Sequence, residues 1–509
     1  MSFINSIASW YLKKRIYQID LFIKHPVESQ MEVFHRLIST AAQTDWGQRH
    51  GYADIQSIQQ FQERVPVNTY EGLYPEIERI LKGEDNVLWP GKIKWFSKSS
   101  GTTNDRSKFI PVSEEALQDC HFKGGKDMLA IYLDSRPDSE IFSGRGLPLG
   151  GSHEINKLNA NSYYGDLSAV LIQNTPHVFN LFRATSKKVA LMGEWEEKVE
   201  AIAESVMNMN ITSIAGIPTW TLLLINKVLE MAGTQDRNLL EIWPGLEVYF
   251  HGGVSMKPYK HQFEALLPSH QLRYFETYNA SEGFFGLQNE PDKDDLLLML
   301  DYGIFYEFLP LEEIDNPFPK AYTIADVALG VTYAMVISTN AGLWRYLIGD
   351  TVRFTSLNPP KIVIAGRTKH FINSCGEELM VDNADRALAF ACEKTGAEID
   401  NYTAAPFYGQ GGEPGYHEWL VEFTKAPADG LAFMHFLDEE LCAINGDYAA
   451  KRNRNWGLRE PKLHSLPAGT FYEWMRLRDK LGGQNKVPRL SNAREYAESI
   501  LEMAASRRG

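Results

Sequence analysis

The alternation of apolar runs with helical segments between residues 211 and 275 is the feature that most limits how this chain can fold. Three runs of strand length alternate with two segments of helical spacing, at 211–215, 218–231, 246–251, 257–267 and 272–275. This order predicts parallel strands joined by right-handed helical crossovers. In such sheets ligands bind beyond the carboxyl ends of the strands. Gly252-Gly253 and Tyr278-Asn279-Ala280-Ser281-Glu282-Gly283 follow two of these strands, so both segments are candidates for a binding site.

The flanking segments extend this core into an α/β protein of two domains. Helices are predicted near 3–25, 27–44, 71–81 and 113–133, and strands near 331–339, 343–354 and 361–365. The pattern then changes to helices near 382–394, 429–443, 469–481 and 492–505, with strands near 399–408 and 416–424. We therefore expect a large N-terminal domain with parallel or mixed sheets flanked by helices (1–365), a hinge (366–372), and a smaller mobile α+β C-terminal domain (373–509). The glycine-rich run 144–151 misses GxGxxG spacing and is expected to be a loop.

Composition and charge restrict the partners of such a protein. The chain has 509 residues, of which 44% are apolar and 23% charged, as in a globular protein with a large core. Its net charge of -14 argues against nucleic acid or an anionic membrane as a partner, because both attract basic proteins. The four cysteines lie far apart, which argues against structural zinc and a disulfide framework. Because residues 1–26 lack the pattern of a signal peptide and no long apolar run occurs, we expect a cytoplasmic protein. The sequence does not indicate the oligomeric state.

One stretch has the composition of an anion-binding loop. Apolar residues at 93–96 lead into a run of small and hydroxylated residues, and Lys108 precedes a second apolar run at 109–112. The small residues are Ser99, Ser100, Gly101, Thr102 and Thr103. This predicts strand, tight loop, strand, in which free N–H groups, hydroxyls and an ammonium can hold a phosphate. On this stretch alone an ordinary Ser/Thr-rich hairpin turn is the commoner interpretation, and no Walker loop occurs in the chain.

Four segments, in the same order, resemble those of the auxin-responsive Gretchen Hagen family of acyl acid–amido synthetases, a branch of the adenylate-forming enzymes. The loop at 99–103 resembles the first nucleotide motif of that family, 278–282 the second, and 346–350 the third. Residues 482–489, with Lys486, resemble the C-terminal segment that carries the catalytic lysine. The similarity covers nearly the whole chain, and four motifs in order are far more specific than one.

The resemblance implies a two-step reaction that uses ATP and Mg²⁺. ATP and a small carboxylic acid give an acyl adenylate and pyrophosphate, and an amine, usually an amino acid, then attacks to give an amide and AMP. The smaller domain is expected to rotate between the two steps.

The resemblance also implies a role for the main residue of each motif. Lys486 is expected to neutralise the repulsion between the acid carboxylate and the α-phosphate, and Glu282 to bind Mg²⁺. Tyr278 is expected to stack on adenine, Asp350 to accept hydrogen bonds from the ribose, and Arg367 to reach the ribose or a phosphate. The remaining nucleotide contacts are expected from the anion loop and from Gly252, Gly253, Ala280 and Ser281.

Taken singly, each of these residues has an ordinary structural explanation. Glu282 suits a helix start after Ser281, Asp350 a turn, Tyr278 a core position and Lys486 a solvated loop. Their co-occurrence in family order favours the functional interpretation.

The sequence says least about the residues of the acyl pocket and about the identity of the acceptor substrate. Leu171, Trp220 and Leu223 are candidate pocket walls, although plain core packing explains them at least as well. An acyl-CoA ligase with a thiol acceptor and a catalytically silent nucleotide-binding regulator remain the alternative functions.

Overall fold

The structure is a computed structural model. It describes residues 3–99, 108–150, 155–159, 162–192, 195–233, 238–267, 272–291, 293–314, 316, 319–368, 371–372, 377, 379–407, 415–452, 458–478, 481 and 486–507.

Helices α1 to α16 of this part of the chain occupy, in order, Phe3–Lys24, Pro26–Ala41, Asp45–Arg49, Ile58–Arg64, Tyr70–Leu81, Lys123–Ser135, Leu167–Asn174, Lys187–Ala190, Trp195–Val206, Pro218–Ala232, Lys260–Leu266, Val381–Thr395, Gly430–Ile444, Gly446–Arg452, Thr470–Leu477 and Glu495–Ser506. Strands β1 to β17 occupy Trp95–Ser99, Lys108–Val112, Arg145–Pro148, Asn156–Lys157, Tyr163–Gly165, Ile211–Gly216, Val248–Gly252, Arg273–Ala280, Gly283–Leu287, Leu296–Leu298, Ile304–Pro310, Thr332–Thr339, Tyr346–Leu357, Pro360–Arg367, Glu398–Phe407, Tyr416–Lys425 and Lys462–Leu466.

The largest sheet places the carboxyl ends of its parallel strands side by side. Within the described ranges its order is β11-β12-β13-β14-β10-β9-β8-β7-β6-β3. Strands β6, β7 and β8 run parallel, as the alternation in the sequence predicts, β3 joins them in parallel beside β6, and the other neighbours are antiparallel. Because Gly252 is in register with Thr277, the ends of β7 and β8 meet at one edge. The segments that follow these two strands therefore lie close together.

A smaller sheet carries the predicted anion loop. Its order is β2-β1-β5-β4, and β1 pairs antiparallel with β2, with Ser99 opposite Lys108. The strands on both sides of the loop are thus confirmed. Ser100, Gly101, Thr102 and Thr103 lie outside the described residues, and so does the side chain of Ser99.

Alternate side chains of the central strands pack into two different hydrophobic clusters. Val248 and Phe250 belong to one cluster together with α1 and α2, whereas Tyr249 belongs to the other. This follows from the alternation of side chains across a strand. The second cluster continues into α12, β15 and β16, so the small domain packs on the face of the sheet that carries Tyr249.

Several local predictions are confirmed, and two are corrected. The helix predicted near 113–133 forms as a π-helical segment, Ala116–Phe122, that continues into α6. It begins with the expected cap, since the Ser113 hydroxyl accepts a hydrogen bond from the N–H of Ala116 at 2.9 Å. The glycine-rich run 144–151 is not only a loop, because Arg145–Pro148 forms the edge strand β3 beside β6. The helix start considered at Ser281 and Glu282 is wrong, because these residues form the turn between β8 and β9. The strand Lys462–Leu466, which completes the sheet β15-β16-β17, is not among the strands predicted from the sequence.

No helix among the residues described here has both the length and the apolar character that crossing a membrane requires.

Candidate functional site

A cavity of about 980 Å³ lies between the ends of β7 and β8, the strands β13 and β14, and the small domain. Segments that are hundreds of residues apart in the sequence meet at its wall. Of the sequence-predicted residues, those that line it are Lys108, Gly253, Tyr278, Ala280, Ser281, Glu282, Asp350, Arg367 and Lys486. The second, third and fourth motifs therefore face one space.

Asp350 is held by two other predicted site residues. The Tyr278 hydroxyl donates to Asp350 Oδ2 at 2.8 Å, and Arg367 Nε donates to Asp350 Oδ1 at 2.8 Å. Burial and the Asp350 carboxylate raise the pKa of Tyr278, which keeps its hydroxyl a donor. A carboxylate has further acceptor positions beyond these two, so Asp350 can still accept hydrogen bonds from a ligand in the cavity.

The β8–β9 turn connects the second motif to the strand that leads into the anion loop. Ser97 Oγ of β1 donates to Ser281 Oγ at 3.0 Å, and both side chains are buried. Glu282, next in the turn, lines the cavity, and burial raises the pKa of its carboxyl while the positive charge of Lys108 opposes this shift. A carboxylate and an ammonium thus stand at the end of the cavity near β1 and β2, the strands on either side of the predicted anion loop.

Lys486 enters the cavity from the small domain. Its Nζ donates to the backbone carbonyl oxygen of Gly253. The side chain is accessible from the open cavity, and protein atoms lie around it. Burial, together with the positive charges of Arg367 and Arg489, lowers the pKa of Lys486 to about 8. Gly253 has a φ of +81°, and a Cβ there would lie 3.0 Å from the lysine Nζ. A glycine at this position therefore gives the ammonium room to reach the carbonyl.

Comparison with known proteins identifies the family. Family models for the GH3 N-terminal, central and C-terminal domains match residues 15–272, 297–367 and 382–495. This chain belongs to the GH3 family. The resemblance drawn from its four motifs is thereby confirmed.

Individual GH3 relatives are similar along nearly their whole length. The indole-3-acetic acid-amido synthetase GH3.3 of Arabidopsis thaliana is 23% identical over 90% of this chain and 88% of the relative. The jasmonoyl–L-amino acid synthetase JAR6 of Nicotiana attenuata is 23% identical over 97% of this chain and 96% of the relative. The solved structure of the GH3.15 acyl acid amido synthetase is 16% identical and has a TM-score of 0.79, over 97% of this chain and 95% of that one. This likeness confirms the predicted α/β fold with a smaller C-terminal domain.

Some predicted GH3 site residues do not reach the cavity. Gly252 does not line it, and a Cβ at this position would lie 2.3 Å from the Thr277 carbonyl oxygen, so this glycine serves the packing of β7 on β8. Trp220 is a core residue at 6% exposure, Leu171 packs against a separate small cluster, and Leu223 is 37% exposed. The described residues do not bring these three together, and the acyl pocket stays a prediction.

The ring of Tyr278 is largely occupied by its neighbours. It is 4% exposed and packs against Phe285 with ring centroids 4.9 Å apart. Stacking on adenine stays a prediction, whereas the hydrogen bond to Asp350 is a contact that the sequence did not indicate.

Sequence reasoning missed Arg489, although it lies in the lysine segment. Arg489 Nη2 donates to the Tyr259 hydroxyl at 2.8 Å, and its guanidinium lies 4.5 Å from the ring centroid of Tyr402. Arg489 thereby connects the lysine segment (482–489) to Tyr259 of the large domain and to Tyr402 of the small domain. The one available signal was an arginine placed three residues after the candidate lysine.

Proposed function

We propose that this GH3 protein is an ATP-dependent acyl acid–amido synthetase. It adenylates a small carboxylic acid and then transfers the acyl group to an amine, an amino acid by preference. The observation that carries the proposal is the contact of Lys486 with the Gly253 carbonyl, in the same cavity as Tyr278, Asp350 and Arg367. The names of the amido synthetase relatives support the amide product.

The first step requires that two anions approach each other. An acid carboxylate attacks the α-phosphate of ATP, and pyrophosphate leaves. The Lys486 ammonium, and Arg367 close to it, would offset this repulsion and the charge that develops in the transition state. Asp350, held by Tyr278 and Arg367, would accept the ribose hydroxyls and fix the position of the nucleotide.

Glu282 is the proposed protein ligand of Mg²⁺. Mg²⁺ is usually bound by one or two carboxylates together with substrate phosphates and water. Glu282 lines the cavity at the end near Lys108, where the phosphates would lie. When bound, the ion would neutralise phosphate charge.

The second step requires the first-step contacts to loosen. We propose that residues 373–509 rotate about a hinge at 366–372 after the adenylate has formed, withdrawing Lys486. We also propose a cytoplasmic location.

A substrate panel tests the function. The protein is incubated with ATP and Mg²⁺ and with indole-3-acetic acid, jasmonic acid, benzoates and fatty acids, each with the twenty amino acids or with coenzyme A. Pyrophosphate release is measured, and products are identified by mass spectrometry. We expect acid-dependent pyrophosphate release and an N-acyl amino acid. A thioester would instead indicate an acyl-CoA ligase, and ATP binding without pyrophosphate release would indicate a silent regulator.

A further inference from the structure

The cavity has a second wall that the proposed adenylation step does not use. His251 of β7 and Glu276 of β8 are register partners in parallel strands, and two pairs earlier Tyr249 is the partner of Tyr274 in the same way. Paired residues point to the same side of a sheet, and so do residues two apart. His251, Tyr274 and Glu276 accordingly all line the cavity. We call these three residues the β7–β8 wall.

Two buried polar atoms of the β7–β8 wall have no hydrogen-bond partner in the described part of the chain. His251 is 5% exposed, and its Nδ1 is buried without a hydrogen bond, as is the Tyr274 hydroxyl. Buried polar groups in folded proteins are nearly always hydrogen-bonded. Two unsatisfied groups beside a carboxylate on one cavity wall therefore point to a ligand that completes their hydrogen bonds.

The charges around this wall favour the binding of a protonated cation, such as an ammonium group, that can give up a proton. The carboxyl of Glu276 is faced by Lys257 and by three acids, Asp294, Asp382 and Asp385, and burial raises its pKa to about 7. Burial lowers the pKa of His251 to about 4, so its imidazole is neutral at physiological pH. A carboxyl that titrates near neutrality can take up a proton and release it again within a catalytic cycle.

The β7–β8 wall adjoins the proposed reacting centre. Gly253, whose carbonyl accepts the Lys486 ammonium, is two residues beyond His251. Tyr278, which donates to Asp350, is two residues beyond Glu276. Of the three substrates, ATP and the acid are anions, and only the amine arrives with a positive charge. An acidic wall fits the amine and disfavours the other two.

We propose that the β7–β8 wall is the acceptor subsite, which binds the ammonium group of the amino acid, and that Glu276 is the catalytic base of the transfer step. This inference rests on the proposed function. Glu276 removes one proton from the ammonium, and the freed lone pair of nitrogen attacks the acyl carbonyl carbon. The carbon–oxygen bond to AMP then breaks, AMP leaves as an anion, and the nitrogen loses its second proton to water.

The test measures the two half-reactions, adenylation and transfer, separately in the variant Glu276→Gln. Acid-dependent ATP–pyrophosphate exchange measures adenylation, and amide formation from an accumulated acyl adenylate measures transfer. We expect exchange at the wild-type rate and transfer to the amino acid reduced by about 100-fold or more, the usual contribution of a general base. Glu313→Gln is the control, because Glu313 is a carboxylate of the large domain that accepts a hydrogen bond from Asn316 and does not line the cavity. It should leave both half-reactions unchanged.

Two further measurements distinguish a base from a structural role. Transfer to hydroxylamine, which is unprotonated at neutral pH, should survive in Glu276→Gln. The wild-type transfer rate should fall as pH drops below about 7, because Glu276 is then protonated, and the variant should lack this limb. Equal loss of exchange and transfer, equal loss with hydroxylamine, or wild-type transfer to the amino acid would each overturn the inference. If wild-type protein releases no pyrophosphate with any acid, the proposed function itself has failed.

Discussion

Lys486 is a residue of the small domain that contacts Gly253 in the cavity. The contact of its Nζ with the Gly253 carbonyl places a positive charge where the acid and the α-phosphate would meet. We expect Lys486→Ala to lower the rate of adenylation by about 10² to 10³, as the loss of one transition-state donor does elsewhere, with ATP affinity nearly intact. Pyrophosphate release and equilibrium ATP binding measure the two quantities. Lys260→Ala, on the rim of the same cavity, is the control. Wild-type pyrophosphate release from Lys486→Ala would rule out this role.

The depressed pKa of Lys486 predicts a pH dependence with a definite sign. Because the protonated form is the active one and its pKa is about 8, kcat/KM for ATP in adenylation should fall as pH rises through about 8. Lys486→Arg keeps the charge at all accessible pH values and should move this decline upward, even if its rate is lower. An unchanged decline in the arginine variant would mean that another group titrates.

At the scale of elements, the turn between β12 and β13 is held by a buried ion pair. Arg345, with a φ of +42°, donates through Nε and Nη2 to Glu307 of β11 at 2.9 Å each. Its Nη1 donates to the carbonyl oxygens of Gln62 and Val65 at 3.0 and 2.7 Å. One side chain thus fixes the edge of the large sheet to the N-terminal helices.

Removing that side chain should destabilise the fold without touching the cavity. Arg345→Met leaves the Glu307 carboxylate buried and unpaired, which costs about 3–5 kcal/mol in comparable cases. Urea unfolding measures the loss. Arg79→Met is the comparison, because its bonds to Asp45 and Glu84 lie at the surface, where solvent screens ion pairs, so its removal should change the stability far less. Equal shifts in the two variants would show that burial of the pair is unimportant.

The elements also show which features a sequence can predict. The parallel strands β6, β7 and β8 follow from local periodicity, and so does the cap at Ser113. Strand β3 does not, because a glycine-rich run becomes a strand only when a distant strand pairs with it. Within the site, likewise, local motifs predict residues but not the contacts between distant segments. The motifs identified Asp350 and Lys486, but the bonds from Ser97 to Ser281 and from Arg489 to Tyr259 join segments far apart and leave no local pattern.

At the scale of the whole molecule, a few polar contacts supplement an apolar interface between the domains. One hydrophobic cluster runs from the central sheet into α12, β15 and β16. Around it, Gln262 donates to the Ile399 carbonyl at 2.6 Å, and Asp382 lies 3.5 Å from Arg353 and 3.6 Å from Lys257. If the small domain rotates between the two steps, as proposed above, contacts of this kind can break in one orientation and be replaced by others in the next. The orientation seen here, with Lys486 in the cavity, is the one that the proposed adenylation step would use.

Arg489 and Tyr259 offer a way to shift that orientation without altering the reacting groups. The hydrogen bond at 2.8 Å joins the lysine segment to the large domain, and bonds to charged groups contribute about 1.5–3 kcal/mol. Tyr259→Phe keeps the ring and removes the acceptor, so the adenylation orientation should become less populated. We expect adenylation to fall by about tenfold or more, while transfer from preformed adenylate stays at the wild-type rate. Tyr448→Phe, which removes a hydrogen bond to Asp438 inside the small domain, should leave both half-reactions unchanged. If Tyr259→Phe slowed transfer as much as adenylation, the bond would serve the fold of the segment rather than the choice between orientations.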